Sequence, residues 1–346
     1  MDESASLQDA AQTAASPQYP SQDITIDSCK RAVLAGQTLS VNDAADLFDL
    51  ADDMVDDLAR AAAEITRKMT IPGVDIEQLY NIKKNACSED CTFCSQSAFY
   101  NTGIDSYQLP PSQDIIKQAG EAKRNGAVSY CLVAAWREPP PKDFERVCDI
   151  ISELRNDVGI DVECSLGFLT LEQASELKRR GTKRYNHNLE TARSKFPEIC
   201  TTHTYQDRLD TLQIARNAGL ELCTGGIIGM GETRKQRLEL AQDIARIAPE
   251  EVTINILVPV PGTPLELQSP LEEAEIVRMI AVLRFMLPHS TIKVSGGREA
   301  ILSDAGQSLL LGGANGIITE GYLTMNGNQT ADDLAMIYDA GLQPRR

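Results

Sequence analysis

Short apolar runs recur eight times between residues 79 and 323, and stretches with helical spacing lie between them. The runs are "LYNIKKN", "SYCLVAAW", "DVECSLGF", "RYNHNLE", "ELCTGGIIGM", "EVTINILVPV", "TIKVSGG" and "GIITEGYL". Intervening segments such as "TLEQASELKRRG" carry apolar residues at three- and four-residue steps, which is typical of amphipathic helices. Strands that alternate with helices indicate a parallel sheet. Eight such units predict an α/β fold, a closed (β/α)₈ TIM-type barrel, with an open doubly wound sheet as the alternative.

The chain before the first run predicts helices. Leu47, Leu50, Met54, Leu58 and Ala61 form an amphipathic stripe whose start Ser40 or Asn42 could cap. We therefore expect a helical cover that packs on the barrel and carries no chemistry of its own. The predicted division is a disordered acidic tail over residues 1–22, an N-terminal helical extension over 23–75 and the barrel over 76–346.

Composition and charge narrow the class of protein. The 346 residues are 42% hydrophobic and 24% charged, as in a globular protein that buries a large core. A net charge of −17 argues against a nucleic-acid partner, which requires clustered Lys and Arg. The chain shows neither an apolar stretch of membrane-spanning length nor the features of a signal peptide, so we expect no membrane partner and a cytoplasmic location. In a reducing compartment, nine cysteines favour metal binding or catalysis over disulfides.

Three of these cysteines lie within eight residues, in "NACSEDCTFCSQSA". Cys87, Cys91 and Cys94 are one thiolate short of a closed structural zinc site, which usually has four protein ligands. A [4Fe–4S] cluster fits this loop better, because three thiolates can hold three irons and leave the fourth iron open to a small molecule. Three buried cysteines that act as small apolar residues are disfavoured by the polar context of the loop.

This C-x₃-C-x₂-C spacing resembles the radical S-adenosylmethionine (SAM) enzymes, in which SAM chelates the open iron. Phe93 matches the aromatic residue that usually precedes the last cysteine. "GGIIGMGE" resembles the SAM-binding fifth strand of such enzymes through four positions, Gly225, Ile227, Gly229 and Glu232. Glycines there allow close approach of the backbone to a ligand.

A more specific resemblance covers roughly residues 77–342. The runs "YCLVAAW", "ECSLGFL", "YNHNLET", "LCTGGIIGMGET", "INILVPVPGTPL" and "VSGGRE" resemble the biotin synthase family in the same order. That family holds a [2Fe–2S] cluster inside the barrel with three cysteines and an arginine. By this resemblance the ligands are Cys131, Cys164, Cys223 and Arg298.

The residue types are compatible with that set. Thiolates suit iron, and a buried arginine needs an anionic partner such as a cluster. An ion pair of Arg298 with Glu299 or Glu232 is the main alternative.

Further site residues follow from the same resemblance. Asn188 and Asn255 match positions that contact SAM and the ureido ring of dethiobiotin, and a carboxamide offers a urea both a donor and an acceptor. Glu190 stands where the family commonly has a shorter residue near the SAM ribose. His187 is expected to orient the site rather than act as a base.

The remaining cysteines and histidines have no matching motif. Cys29, Cys148 and Cys200 are interpreted as structural, and His203 and His289 have no supporting context.

The resemblance implies an enzyme that inserts sulfur into dethiobiotin to form biotin. Its cofactors would be SAM, a [4Fe–4S] cluster and a [2Fe–2S] cluster that donates the sulfur. The implied partners are dethiobiotin, an electron donor such as flavodoxin or ferredoxin, the Fe–S assembly machinery and a second copy of the chain in a homodimer. Alternatives are another radical SAM enzyme, such as a cofactor maturase or lipoyl synthase, and a non-catalytic iron–sulfur or zinc protein.

Overall fold

The computed structural model describes residues 25–324 and 327–345, and it shows a closed barrel of eight parallel strands. The strands follow one another around the barrel in sequence order. Their bounds are β1 Asp75–Lys83, β2 Ser129–Ala134, β3 Asp161–Ser165, β4 Thr182–Asn186, β5 Glu221–Ile228, β6 Glu251–Ile256, β7 Thr291–Val294 and β8 Gly316–Ile318. The predicted (β/α)₈ barrel is confirmed, and the open sheet was wrong because β1 pairs with β8.

Helices surround the barrel and precede it. Their bounds are α1 Ile26–Leu34, α2 Val41–Phe48, α3 Val55–Met69, α4 Ser112–Arg124, α5 Pro141–Glu153, α6 Leu171–Arg180, α7 Phe196–Ile199, α8 Tyr205–Asn217, α9 Arg234–Ile247, α10 Glu273–Met286, α11 Arg298–Ile301, α12 Gln307–Leu310 and α13 Thr330–Asp339. Within the described ranges, no helix is both long and apolar enough to cross a membrane.

The amphipathic stripe expected from the sequence is divided between separate helices. Ser40 caps α2 by accepting a hydrogen bond from the backbone N–H of Asp43, but the helix stops at Phe48 and α3 starts only at Val55. α3 packs on α10 through buried residues such as Leu58 and Ile65. The predicted acidic tail lies outside the described residues, and the division of the chain into an extension and a barrel stays a prediction.

The strand register determines which side chains enter the barrel. Successive residues of a strand face opposite sides of the sheet, and neighbours in register face the same side. Cys131 on β2 is level with Leu79 on β1 and with Glu163 on β3. Cys223 on β5 is level with Asn186 on β4 and Glu251 on β6. These positions face the interior.

Charged side chains fill the base of the barrel. The first residues of β1 include Asp75 and Glu77, so the apolar run that predicted this strand starts four residues after the strand itself. Lys293 on β7 is fully buried, and its Nζ lies 2.7 Å from oxygens of Glu77 and Glu251 and 3.1 Å from Asp75. Burial opposes the charge of this ammonium group, but the surrounding carboxylates hold the pKa of Lys293 well above its ordinary value. Arg345 closes the base with an ion pair to Asp75 at 2.8 Å.

Candidate active site

A cavity of about 280 Å³ opens above this charged base. Its walls include the loop after β1, the residues that follow β2 and β4, and the end of β6. The cavity therefore lies at the carboxyl ends of the strands, the end at which TIM-type barrels carry their chemistry.

The three loop cysteines line this cavity together. Backbone hydrogen bonds fix the loop, because the N–H of Cys87 donates to Gln96 O at 2.9 Å and the N–H of Cys94 donates to Cys91 O at 2.9 Å. Burial raises the pKa of Cys94 to about 11 and also raises the pKa of Cys87. Metal binding must therefore displace protons from these thiols. The loop brings three soft ligands to the wall of one cavity.

A polar network that the sequence did not reveal supports the loop. Glu89 accepts a hydrogen bond from Arg137 at 2.5 Å and pairs with the hydroxyl of Thr202 and with His203. His203 lines the cavity, although the sequence offered no context for it. Glu89, Cys200 and His203 are buried with ligand atoms within 4.8 Å of one another, and hydrogen bonds already connect them.

Cys200 is buried at the edge of the apolar core and also belongs to this polar network. Its Sγ lies 3.2 Å from Asp90 Oδ1 and 3.2 Å from His203 Nδ1. A hydrogen bond from the Cys91 thiol, with further bonds from His203 and Thr202, lowers the pKa of Cys200 to about 4. The sequence shows "CTTH" but gives no sign that it packs on the cysteine loop 110 residues earlier.

Cys29 and Cys148 are buried in apolar surroundings, as the sequence predicted. Burial raises the pKa of each thiol to about 11. His289 lies away from the cavity, where its Nδ1 is 3.0 Å from the carbonyl oxygen of Met69.

The residues predicted to contact SAM divide into two groups. Phe93, Asn188, Glu190 and Ile227 line the cavity. The other three residues do not line the cavity and instead lie in β5 or in the turn that follows it. They are Gly225, Gly229 and Glu232. Gly229 has φ of +94° and donates its N–H to Glu232 Oε1 at 2.8 Å, and that carboxylate also pairs with Arg237 at 3.1 Å.

Asn255 and His187 both face the cavity. Asn255 is held between two backbones, because its Oδ1 accepts from Gly296 N at 3.0 Å and its Nδ2 donates to Gly226 O at 3.5 Å. His187 is buried and packs edge-on against Phe168 at 5.4 Å. Burial, with the charge of Arg208, lowers the pKa of His187 well below 6.5, so the imidazole is neutral.

Two of the predicted inner cluster ligands lie deep in the same cavity. Cys131 and Cys223 line its floor with Asn186, whose Nδ2 donates to Cys131 Sγ at 3.5 Å. Cys223 Sγ also lies 3.2 Å from the hydroxyl of Thr253.

The other two predicted inner ligands do not line the cavity. Cys164 lies between Glu163 and Ser165, which face inward, so its side chain faces the helices and contacts Thr182 at 3.7 Å. Arg298 lies outside the cavity, where it pairs with Asp333 at 2.6 Å and Glu299 at 3.1 Å. The predicted alternative for Arg298 is present as the ion pair with Glu299 but not with Glu232, which pairs with Arg237. Neither Cys164 nor Arg298 reaches the cavity floor beside Cys131 and Cys223.

Comparison with known proteins identifies the family. The Radical SAM superfamily profile matches residues 81–244, and the Biotin and Thiamin Synthesis associated domain matches residues 253–343. A biotin synthase of Nitrosopumilus maritimus is 64% identical over 318 residues, which cover 92% of this chain and 98% of the relative. A biotin synthase of Cenarchaeum symbiosum is 61% identical, with 92% and 99% covered. The chain belongs to the biotin synthase family.

Solved structures agree on the fold. Methylornithine synthase superposes with a TM-score of 0.80 at 18% identity and covers 92% of this chain and 97% of its own. The FeFe-hydrogenase maturase of Carboxydothermus hydrogenoformans gives a TM-score of 0.77 at 18% identity, with 92% and 79% covered. At such identities the likeness shows a shared barrel and nothing about substrate.

Membership of the biotin synthase family makes this chain a radical SAM enzyme of the sulfur-inserting type, with SAM, a [4Fe–4S] cluster and a [2Fe–2S] cluster as cofactors. The loop of Cys87, Cys91 and Cys94 fits the larger cluster, because three thiols converge on one cavity. The smaller cluster fits only in part, since the cavity floor offers two thiols of the expected three.

Proposed function

We propose that this enzyme converts dethiobiotin to biotin, the last step of biotin biosynthesis, inside the cavity at the carboxyl ends of the strands. One observation carries the proposal: the three loop cysteines and two strand cysteines line one and the same cavity. Two clusters held there would lie on either side of a small substrate, as a sulfur insertion requires.

Cys87, Cys91 and Cys94 would hold the [4Fe–4S] cluster and leave one iron for SAM. Bound together, this cluster and SAM supply the radical chemistry that activates an unreactive carbon, and the inner cluster supplies the sulfur. The protein holds the loop in place before binding, through Glu89 and its hydrogen bonds to Arg137 and Thr202. Such pre-organisation lowers the cost of ordering the site.

Phe93, Asn188, Glu190 and Ile227 would form the SAM site. Glu190 forms an ion pair with Arg208, whose Nη1 lies 3.3 Å from Glu190 Oε1 and 2.8 Å from the carbonyl oxygen of Asn188. Arg208 therefore holds both the Glu190 side chain and the Asn188 backbone in position. An acidic side chain in this position suits the diol of a ribose.

Asn255 would recognise the ureido group of dethiobiotin. Its carboxamide is both a donor and an acceptor, and contacts to the flanking strands keep it at the cavity wall. Apolar residues such as Leu79, Val133 and Ile318 line the cavity between the two cysteine sets. They would surround the aliphatic part of the substrate and exclude water.

Neutral His187 would orient the site and not serve as a charged acid. Its Nε2 is buried and has no hydrogen-bond partner among the described residues, so it can accept or donate one hydrogen bond to a bound ligand. The neighbouring Phe168 ring fixes the plane of the imidazole.

We further infer the cellular setting. A reducing cytoplasm would keep the buried thiols available to iron. Reduction of the larger cluster would need a donor such as flavodoxin or ferredoxin, and rebuilding of the inner cluster would need the Fe–S assembly machinery. A homodimer is expected from the family resemblance.

An anaerobic assay tests the proposal. Reconstituted enzyme with SAM, reductant and dethiobiotin should give biotin and 5′-deoxyadenosine, and Cys131→Ala should still cleave SAM without forming biotin. Deoxyadenosine without biotin in the wild-type enzyme would instead indicate another radical SAM reaction. Full biotin formation by Cys131→Ala would contradict sulfur donation from the inner site.

A further inference from the structure

The floor of the cavity has too few thiols for the inner cluster. A [2Fe–2S] cluster is usually held by four protein ligands, three or more of them thiolates or imidazoles. Of the cysteines in the described ranges, only Cys131 and Cys223 line the cavity below the loop. At least one further side chain must therefore bind the cluster.

Glu163, on the strand expected to supply the third ligand, faces inward just below the residues that line the cavity floor. It precedes Cys164 on β3, faces the interior and is level with Cys131 on the neighbouring strand. The side chain is fully buried. Its Oε1 accepts a hydrogen bond from Arg184 at 2.5 Å, while its Oε2 has no partner among the described residues. An unpaired buried carboxylate oxygen costs stability unless something binds it.

Three carboxylates compete for this role, because oxygens of Glu77, Glu163 and Glu251 lie within 4.8 Å of one another. Glu163 is level with Cys131 on the neighbouring strand, and Glu251 is level with Cys223 on its own neighbouring strand.

Among the three, Glu163 alone combines two geometric properties. Its strand, β3, lies between the strands of the two cysteines, β2 and β5, and it keeps an unpaired buried oxygen. Glu251 also has an unpaired oxygen and is level with Cys223, but its strand lies beyond β5. Glu77 lies on β1, beyond β2, and its Oε2 is bound to Lys293 at 2.7 Å.

Two buried cations, Lys293 and Arg184, lie beside Glu163 at this level of the barrel. Lys293 Nζ lies 3.9 Å from Glu163 Oε1, and Arg184 contacts the same oxygen. Both cations are buried, whereas Arg298 is neutralised by Asp333 outside the cavity.

We propose that the inner iron–sulfur cluster is held by the thiolates of Cys131 and Cys223 and by the carboxylate of Glu163. Lys293, in place of Arg298, is the buried cation beside it. This proposal rests on the proposed function, since it assumes that an inner cluster is present. A carboxylate is a harder donor than a thiolate, so one iron of the cluster should differ electronically from the other.

Mössbauer spectroscopy of the full-length enzyme, reconstituted anaerobically with ⁵⁷Fe and sulfide, tests the ligand set without relying on turnover. Cys164→Ala should keep the iron content and both cluster spectra of the wild type. Glu163→Gln should lose the inner-cluster doublets and keep those of the larger cluster. The matched control Glu251→Gln, from the same acidic group, should keep both sets.

A second variant protects the test against misfolding. Glu163→Cys should bind the inner cluster with two similar irons, which gives doublets that differ from the wild type and a more negative reduction potential. Loss of the inner cluster in Cys164→Ala would overturn the proposal. Wild-type inner-cluster spectra in Glu163→Gln or Glu163→Cys would overturn it as well.

Failure of the proposed function would look different. In that case the wild-type enzyme would bind only the larger cluster and would yield 5′-deoxyadenosine without biotin. This result would contradict the presence of an inner cluster before any variant is compared.

Discussion

The carbonyl oxygen of Glu190 lies 2.5 Å from the point where a β-carbon on Gly226 would stand. Ile227 donates its backbone N–H to the same oxygen at 2.8 Å, so the chain after β4 is bound directly to β5. Glu190 has φ of +69°, a strained value that directs its side chain into the cavity. The missing side chain of Gly226 therefore allows the acidic group to reach the proposed SAM site.

Gly226→Ala should weaken SAM binding, because the new methyl group must push the Glu190 backbone away from β5. Overpacking of this kind costs about 1–3 kcal/mol of stability. Calorimetry of SAM binding to the reconstituted enzyme, alongside thermal unfolding, measures both effects.

Gly120→Ala is the matched control. A β-carbon there meets only the flexible end of Arg124 at 3.5 Å, within α4. It should leave SAM affinity unchanged and slightly raise stability, by roughly 0.5–1 kcal/mol. Equal SAM affinity in Gly226→Ala and the wild type would contradict the role assigned to this contact.

Arg298→Met should destabilise the fold without removing iron. The guanidinium is fully buried against Asp333, and removal of one partner of such a pair costs about 3–5 kcal/mol. Chemical denaturation measures the loss, and iron per chain should match the wild type under conditions where both are folded. The double variant with Asp333→Leu should recover part of the stability, since no unpaired charge remains. A folded variant that lacked the inner cluster would restore Arg298 as a ligand.

Cys200→Ala should retain the [4Fe–4S] cluster. The Cys200 thiol is already held by Asp90 and His203, and three loop cysteines are sufficient for a cluster with one open iron. The lost hydrogen bonds should cost roughly 1 kcal/mol. Iron content and the visible spectrum after reconstitution are the measurements, with Cys91→Ala as the variant expected to lose the cluster. Loss of this cluster in Cys200→Ala would make Cys200 a ligand.

His187 should make the protein less stable in mild acid. Its folded-state pKa lies well below the value of 6.5 that it has when unfolded, so the unfolded chain binds a proton that the folded chain excludes. Its contribution is complete above pH 6.5 and is lost as pH falls below that value. Melting temperatures between pH 8 and 5.5 should fall less in His187→Gln than in the wild type. Parallel curves for the two proteins would contradict a neutral buried imidazole.

The barrel could be predicted from the sequence, and so could the common cavity of the loop cysteines, because both depend on local patterns. Cys87, Cys91 and Cys94 lie in one short loop, and their common cavity follows from their spacing. Asn188, Glu190 and Asn255 reach the cavity because each lies at or just beyond the carboxyl end of an apolar run.

The lower half of the site depends on strand register, which the sequence does not contain. In "DVECSLGF" either Glu163 or Cys164 could face inward, and only pairing with β2 decides between them. In "TIKVSGGRE" the resemblance pointed to Arg298, and only the structure shows that Lys293 is the residue buried inside the barrel. The network of Glu89, Cys200 and His203 was missed for a different reason, since it joins residues more than 100 positions apart.

Lys293, Asp75 and Arg345 form a chain of ion pairs that fills the lower end of the barrel. Iron and sulfide that replenish a spent inner cluster must then enter by the same mouth as SAM and the organic substrate. Repair and turnover would then exclude each other in time.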